Sequence, residues 1–297
     1  MTRQITPVCR ICGSVEYDFV SDEVSGAPES SVYQCKGCEL VYLFPIMTEE
    51  EEASFYRAEF ENYMAGRSGP GWESPDAHFR SYQAEGERRL PLVRPHLRAE
   101  DDVLEIGSST GYFLDDLRGY VRSVRGIEPS EAYRAFAVTR GIETIASLDD
   151  LGADKFDVIT IYYVLEHLRD PVGYLAALQS RLNSGGRMLI EVPNVDDVLL
   201  SRYGIPSFGP FYWQKVHYYV FSRMTLADVL SRAGFQAQVF PEQRYDLSNH
   251  VVWMMEGKPG GMGRYADLFG PELEATYAAA IKTHWVCDTL FAVATVE

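Results

Sequence analysis

Four of the five cysteines fall in two pairs, Cys9-x-x-Cys12 and Cys35-x-x-Cys38, with about twenty residues between the pairs. A CxxC turn aims two sulfurs at one point, and two such turns complete the tetrahedron that zinc takes. Four thiolates leave no open position, so the spacing predicts a structural metal rather than a catalytic one. Such an ion supplies folding energy to a segment too small for its own core. Gly13 and Gly37 stand where tight knuckles need a relaxed backbone. The fifth cysteine, Cys287, lies in the apolar stretch WVCDTLFAVATV and reads as a packing residue.

A second constellation is Glu105-Ile-Gly107-Ser108-Ser-Thr-Gly111, which ends one apolar run and opens the segment GYFLDDLRGY. Gly107 permits a sharp turn and Gly111 lets a helix start close to a ligand. An acidic residue, Glu128, follows about 20 residues on, where dinucleotide folds hold ribose hydroxyls. The loop matches neither G-x-G-x-x-G nor G-x-x-x-x-G-K-[ST], so no phosphate cradle is implied.

These residues need elements to position them. From about residue 81 the chain alternates short apolar runs with helical segments. Strands are expected at DVLEIG, VRSVRGIEP, ETI, KFDVITIYYV, GGRMLIEVP, QAQVFPEQ and TLFAVATV. The alternation predicts an α/β fold: a seven-stranded, mostly parallel, doubly wound (Rossmann-like) sheet, with a small N-terminal zinc-binding module built on the four cysteines. The expected division is 1–46 for the ribbon, 47–80 for a helix and linker, and 81–297 for the main domain. Thr48 with Glu51 reads as a capping box that starts the linker helix, and 66–76 reads as a loop.

Composition narrows the partners. The net charge is −16, from 27 Lys and Arg against 43 Asp and Glu. Binding to phosphate backbones draws on clustered cations, so nucleic acid is not expected as a partner. No apolar run is long enough to span a membrane and the N-terminus lacks an apolar signal core, so a cytoplasmic protein is expected. Homo-oligomerisation is left open.

The ordered motifs resemble those of class I S-adenosylmethionine-dependent methyltransferases. VLEIGSSTGYFL is similar to their motif I, with Ser109 where many members have Gly, and FDVITIYYVLEHLRDP to their strand-four motif. LNSGGRMLIEVPN and VHYYVFSRMTLADVLSRAGF are similar to the blocks at strands five and six. The resemblance implies S-adenosylmethionine as cofactor, held by Glu105, Gly107, Ser108, Gly111, Tyr112, Phe113, Glu128, Pro129, Ser147, Leu148, Tyr162 and Tyr163.

A zinc ribbon ahead of this fold is similar to sugar methyltransferases. KVHYYVFS aligns His217 with a histidine of their conserved segment, although Val216 replaces the preceding Glu. Residues 193–222 and 241–285 are expected to form the acceptor side beyond the carboxyl ends of the strands. His217 is the first candidate base and His167 the second. Tyr212, Trp213, Lys215, Tyr218, Arg244, Asp246, Asn249 and His250 are the candidate acceptor contacts, the aromatic rings offering faces to a sugar. The expected reaction is O-methylation of a small-molecule sugar or nucleotide sugar. The alternatives are C-methylation of a keto-deoxysugar, and methylation of RNA or protein gripped by the ribbon.

Overall fold

The computed structural model describes residues 6–68 and 70–296. Residue 69, inside the loop expected over 66–76, lies outside the described residues, as do 1–5 and 297. The strands in chain order are β1 (Tyr17–Ser21), β2 (Ser31–Cys35), β3 (Val41–Phe44), β4 (Asp102–Ile106), β5 (Ser123–Ile127), β6 (Glu143–Ile145), β7 (Phe156–Tyr162), β8 (Leu182–Pro193), β9 (Tyr219–Val220), β10 (Phe235–Glu242) and β11 (Thr289–Val296). They form two sheets, one of seven strands in the order β10-β11-β8-β7-β4-β5-β6 and one of four in the order β1-β2-β3-β9.

The large sheet is the one expected, and all seven strands fall on the runs read from sequence. β4 pairs in parallel with β5 on one side and β7 on the other. Chain order therefore reverses at β4, and ligands of open α/β sheets bind at the carboxyl end of such a switch point. The Gly107–Gly111 loop leaves β4 there. Val103 and Leu104 are fully buried, as a strand covered on both faces requires.

The chain packs as two compact units. One holds residues up to Ile46, Leu165–Leu175 and Glu191–Ala292; the other holds Met47–Val164, Ala176–Ile190 and the end of the chain from Val293. The ribbon residues thus cluster with distant segments, a grouping that the sequence-based division at 46 and 80 does not capture.

Within the first unit the two knuckles repeat one backbone pattern. Gly13 N–H donates to Cys9 O and Glu39 N–H donates to Cys35 O, each at 2.8 Å. Cys9 N–H donates to Ser14 O at 2.9 Å and Cys35 N–H to Leu40 O at 3.0 Å. The left-handed residues are Gly13 (φ 77°) and Glu39 (φ 62°), so the expectation for Gly37 is corrected: the turn it serves puts its positive φ two residues later. Gly37 is small for another reason, since a Cβ there would meet Ser14 Cβ at 3.1 Å and Cys12 Sγ at 3.3 Å. Left-handed backbone at a non-glycine costs about 1–2 kcal/mol. Glu39→Gly is therefore expected to stabilise the protein by about 0.5–1 kcal/mol after the entropy cost of glycine, measured by chemical denaturation.

The fourth strand of the ribbon sheet was not foreseen. β9 comes from the aromatic run 211–221 and pairs antiparallel with β3, Val41 opposite Val220 and Tyr42 opposite Tyr219. Ser25 N–H donates to Trp213 O at 2.9 Å and Lys215 N–H to Ser25 O at 3.0 Å, while Leu43 N–H donates to Tyr218 O at 3.0 Å. The ribbon thus frames both ends of the segment Gln214–His217. The linker helix Glu49–Ala58 starts with the expected Thr48–Glu51 capping box. No helix among the described residues is long and apolar enough to cross a membrane.

Candidate active site

The switch-point loop is built from backbone that only particular residues tolerate. Gly107 (φ 71°) and Gly111 (φ 74°) are both left-handed. A Cβ on Gly107 would meet Val164 Cγ2 at 2.5 Å, and one on Gly111 would meet Ile142 Cδ1 at 2.7 Å. Between them Ser109 holds φ 51°, a strained value for a residue with a side chain. Glu128, just past β5, accepts hydrogen bonds from Ser109 N–H at 2.8 Å and Ser130 N–H at 2.7 Å. Burial pushes its carboxyl up to about 7, against the pull of those two N–H groups.

Glu105 at the end of β4 is buried, with one carboxylate oxygen lacking a hydrogen-bond partner. Burial raises its carboxyl to about 8, opposed by the positive charge of Arg89. Arg89 is itself 1 % exposed. Its guanidinium lies 4.2 Å from the Tyr162 ring centre and 5.2 Å from that of Phe113, and donates to Tyr112 Oη at 2.9 Å. A second buried group, His78, stacks on Tyr82 at 4.2 Å and stands edge-on to Trp72 at 4.5 Å. One ring nitrogen of His78 lies 3.2 Å from Thr110 Oγ1. Burial pushes the His78 imidazole down to about 3, so it is neutral at neutral pH.

The other chemical group lies in the first unit. Glu166, His167 and His217 bring one ligand atom each to within 4.8 Å of one another. The Glu166 side chain is fully buried and neither carboxylate oxygen has a hydrogen-bond partner. Burial raises that carboxyl to about 8 and lowers the His167 imidazole to about 4. The His167 and His217 rings are 5.1 Å apart. The Gln214 amide lies 2.8 Å from His217 Nε2 and His217 N–H donates to Gln214 O at 3.0 Å, which orients the imidazole. Tyr218 N–H donates to Glu166 O at 2.9 Å, tying the aromatic segment to the turn Leu165–His167.

A family model described as a methyltransferase domain matches residues 77–238, more than half of the chain. The chain belongs to the methyltransferase family. Among curated relatives it is 35% identical over 103 residues to a tRNA U34 carboxymethyltransferase of Dichelobacter nodosus, covering 32% of this chain and 33% of that one. It is 27% identical over 134 residues to a ubiquinone biosynthesis O-methyltransferase of Nitrosococcus oceani, covering 41% of this chain and 57% of that one. The matches thus span between a third and somewhat over half of these relatives. Among solved structures, a methyltransferase in complex with the Trm112 activator of Haloferax volcanii covers 81% of this chain and 98% of its own, with a TM-score of 0.53 and 15% identity. An S-adenosylmethionine-dependent methyltransferase of Archaeoglobus fulgidus covers 80% and 99%, with a TM-score of 0.50 and 18% identity. Both likenesses are likenesses of fold.

The methyltransferase loop fits the family's cofactor. Buried polar atoms without protein partners gather around it, namely Ser108 Oγ, Glu105 Oε2, Trp72 Nε1 and Tyr133 Oη. A polar ligand satisfies such groups, which are costly to leave bare. Tyr112 and Phe113 open the helix after Gly111. Pro129 follows Glu128, and its carbonyl accepts from Arg134 at 3.1 Å. Ser147 and Leu148 begin the turn after β6, Ser147 N–H donating to Asp150 at 3.0 Å. Tyr162 ends β7 and Tyr163 is left-handed at φ 55°.

The acceptor contacts expected from sequence divide differently. Tyr212, Trp213 and Tyr218 are buried, and Tyr212 donates its hydroxyl to Asn194 O at 2.6 Å. They pack the segment in place and expose no stacking faces. Asp246 caps the helix Leu247–Glu256, accepting from Asn249 N–H at 2.8 Å. Asn249 and His250 are buried in that helix, with His250 Nδ1 2.7 Å from Tyr277 Oη. Arg244 lies 5.2 Å from the Tyr245 ring centre, and its N–H donates to Asp288 at 2.9 Å. Lys215 is half-buried, held at the ribbon by its own backbone. Sequence reasoning missed Trp72, His78 and Arg89, whose only signal is their place in the lead-in helices. It saw Glu166 only as a neighbour of His167.

The four N-terminal cysteines are free of disulfides and converge to within 4.8 Å. Cys9 Sγ is 3.6 Å from Cys38 Sγ and Cys12 Sγ is 3.4 Å from Cys35 Sγ. Bonds of about 2.3 Å to a tetrahedral ion put neighbouring sulfurs about 3.8 Å apart, so the cluster could hold one.

Proposed function

We propose that the chain is an S-adenosylmethionine-dependent methyltransferase that methylates a hydroxyl oxygen of a small molecule, with a structural zinc ion in its N-terminal module. The convergence of His167 and His217 on a buried carboxylate carries the acceptor reading. A hydroxyl must lose its proton as the new bond forms, and this group is equipped to make it nucleophilic. The cofactor, when bound, supplies a methyl group on a sulfonium; the S–C bond breaks, its electron pair stays on sulfur, and an O–C bond forms. Glu128 would hold the ribose, the turn Gly107–Gly111 would lie against the methionine end, and Ser147 and Leu148 would flank the adenine.

The name of the Nitrosococcus oceani relative supports oxygen as the accepting atom. A tRNA acceptor, as in the name of the Dichelobacter nodosus relative, is disfavoured by the net charge of −16. Within the hydroxyl class, a sugar or nucleotide sugar rests on the sequence resemblance alone.

The test is transfer of labelled methyl to a panel of sugars, nucleotide sugars, phenols and tRNA. A small hydroxyl compound is expected to take the label. His217→Ala is expected to lower turnover by about 10²-fold or more while leaving cofactor affinity unchanged. Label in tRNA and in no small hydroxyl compound overturns the reading.

A further inference from the structure

We propose that Glu166, His167 and His217 hold a divalent transition-metal ion, distinct from the one in the cysteine cluster, whose open positions take the acceptor hydroxyl. The proposal deepens the hydroxyl-acceptor reading and rests on it for the identity of the last ligand.

The carrying observation is Glu166. A fully buried carboxyl with neither oxygen in a hydrogen bond is costly to leave bare. His167 Nε2 lies 3.9 Å from Glu166 Oε1, too far for a hydrogen bond. A cation between carboxylate and imidazoles satisfies the free oxygens directly.

The donor set agrees. Two imidazoles and one carboxylate with remaining positions open form a ligand set of catalytic metals, whereas the four thiolates of the N-terminal cluster close their ion off. Ligand atoms within 4.8 Å of one another need only small side-chain rotations to reach the edge of about 3.3 Å that bonds of about 2.0–2.1 Å require.

Such an ion changes the proton chemistry. The acceptor O–H proton leaves to solvent at a lower pH than it would from a free alcohol. The oxygen lone pair then forms the O–C bond as the S–C bond breaks. The histidines act as ligands, and no side chain need take the proton.

The test uses the full chain without a tag. Elemental analysis counts bound metal per chain, and Co²⁺ titration distinguishes sites by absorption, because sulfur-to-cobalt charge transfer reports the thiolate cluster alone. Two equivalents are expected in the wild type, one showing the thiolate signature and one lacking it. Glu166→Gln and His167→Ala are expected to lose the second equivalent, weakening it by more than the ~10–100-fold that loss of an outer-shell partner costs, with the thiolate signature intact. A single equivalent in the wild type overturns the proposal, whatever the variants do. If a hydroxyl acceptor is then still methylated in a His217-dependent way, the acceptor reading stands without the metal. If the second equivalent binds but no hydroxyl compound is methylated, the metal site stands and the acceptor reading falls.

Discussion

Cys9→Ser together with Cys38→Ser is expected to abolish methyl transfer while leaving S-adenosylmethionine binding within a few-fold of wild type. Structural zinc in small domains is worth about 10–16 kcal/mol of folding free energy. β1 is almost wholly at the surface, with Phe19 59 % exposed. Cys9, Cys35 and Leu40 are each at 1 % exposure or less, beside a few further buried side chains such as Val32 and Leu43. Without a metal, the knuckles lose what holds the two turns together and β3 loses its place. β9 then has no partner, and the bonds from Leu43 to Tyr218 and from Lys215 to Ser25 go with it. These bonds frame His217. The residues assigned to the cofactor lie in the other compact unit, outside the segments that the ribbon frames. Titration calorimetry with the cofactor and a labelled-methyl assay separate the two effects. Transfer at near wild-type rates by a metal-free double variant would mean that the ribbon does not position the histidine segment.

The same pairing explains what the sequence conceals. Strands of the large sheet are legible because buried parallel strands read as apolar runs, and 102–106 and 156–162 are such runs. β9 has two residues and no pattern of its own; its partner lies far back in the chain, and no local rule reaches that far. So the aromatic run reads as a surface when it is an interior. The knuckles are visible from cysteine spacing, but the choice of Glu39 over Gly37 for the left-handed position follows from hydrogen bonds back to Cys35 that only the fold displays. Glu105, Gly107, Gly111 and Glu128 declare themselves by spacing. Arg89 and His78 do not, since a charged or polar residue in an amphipathic helix normally faces water, and only packing against Phe113, Tyr162 and Tyr82 shows that these two do not.

Glu128→Ala is expected to weaken S-adenosylmethionine binding by about 10³-fold, the loss of two hydrogen bonds to a charged group at about 1.5–3 kcal/mol each. One carboxylate oxygen accepts from Ser109 N–H in the motif loop and the other from Ser130 N–H at the start of the next helix. The substitution therefore removes the proposed ribose acceptor and loosens the turn that bears Ser109 at positive φ. Glu128→Gln keeps the shape and isolates the charge. Burial lifts this carboxyl from its ordinary value of 4.5 to about 7. Between those limits the folded protein keeps a proton that the unfolded chain has released, so stability without cofactor falls as pH rises through the window. Cofactor affinity rises over the same window, because only the ionised carboxylate accepts from both hydroxyls. Thermal unfolding of the cofactor-free wild type is expected to show a midpoint that drops from pH 4.5 toward 7, with a shallower drop in Glu128→Gln. Glu105 and Glu166, both lifted to about 8 by burial, add to the remaining slope, and His78 and His167, pushed down by burial, oppose it. Wild-type cofactor affinity in Glu128→Ala would remove Glu128 from the ribose site, and equal slopes in the two proteins would mean that its carboxyl does not titrate across this window.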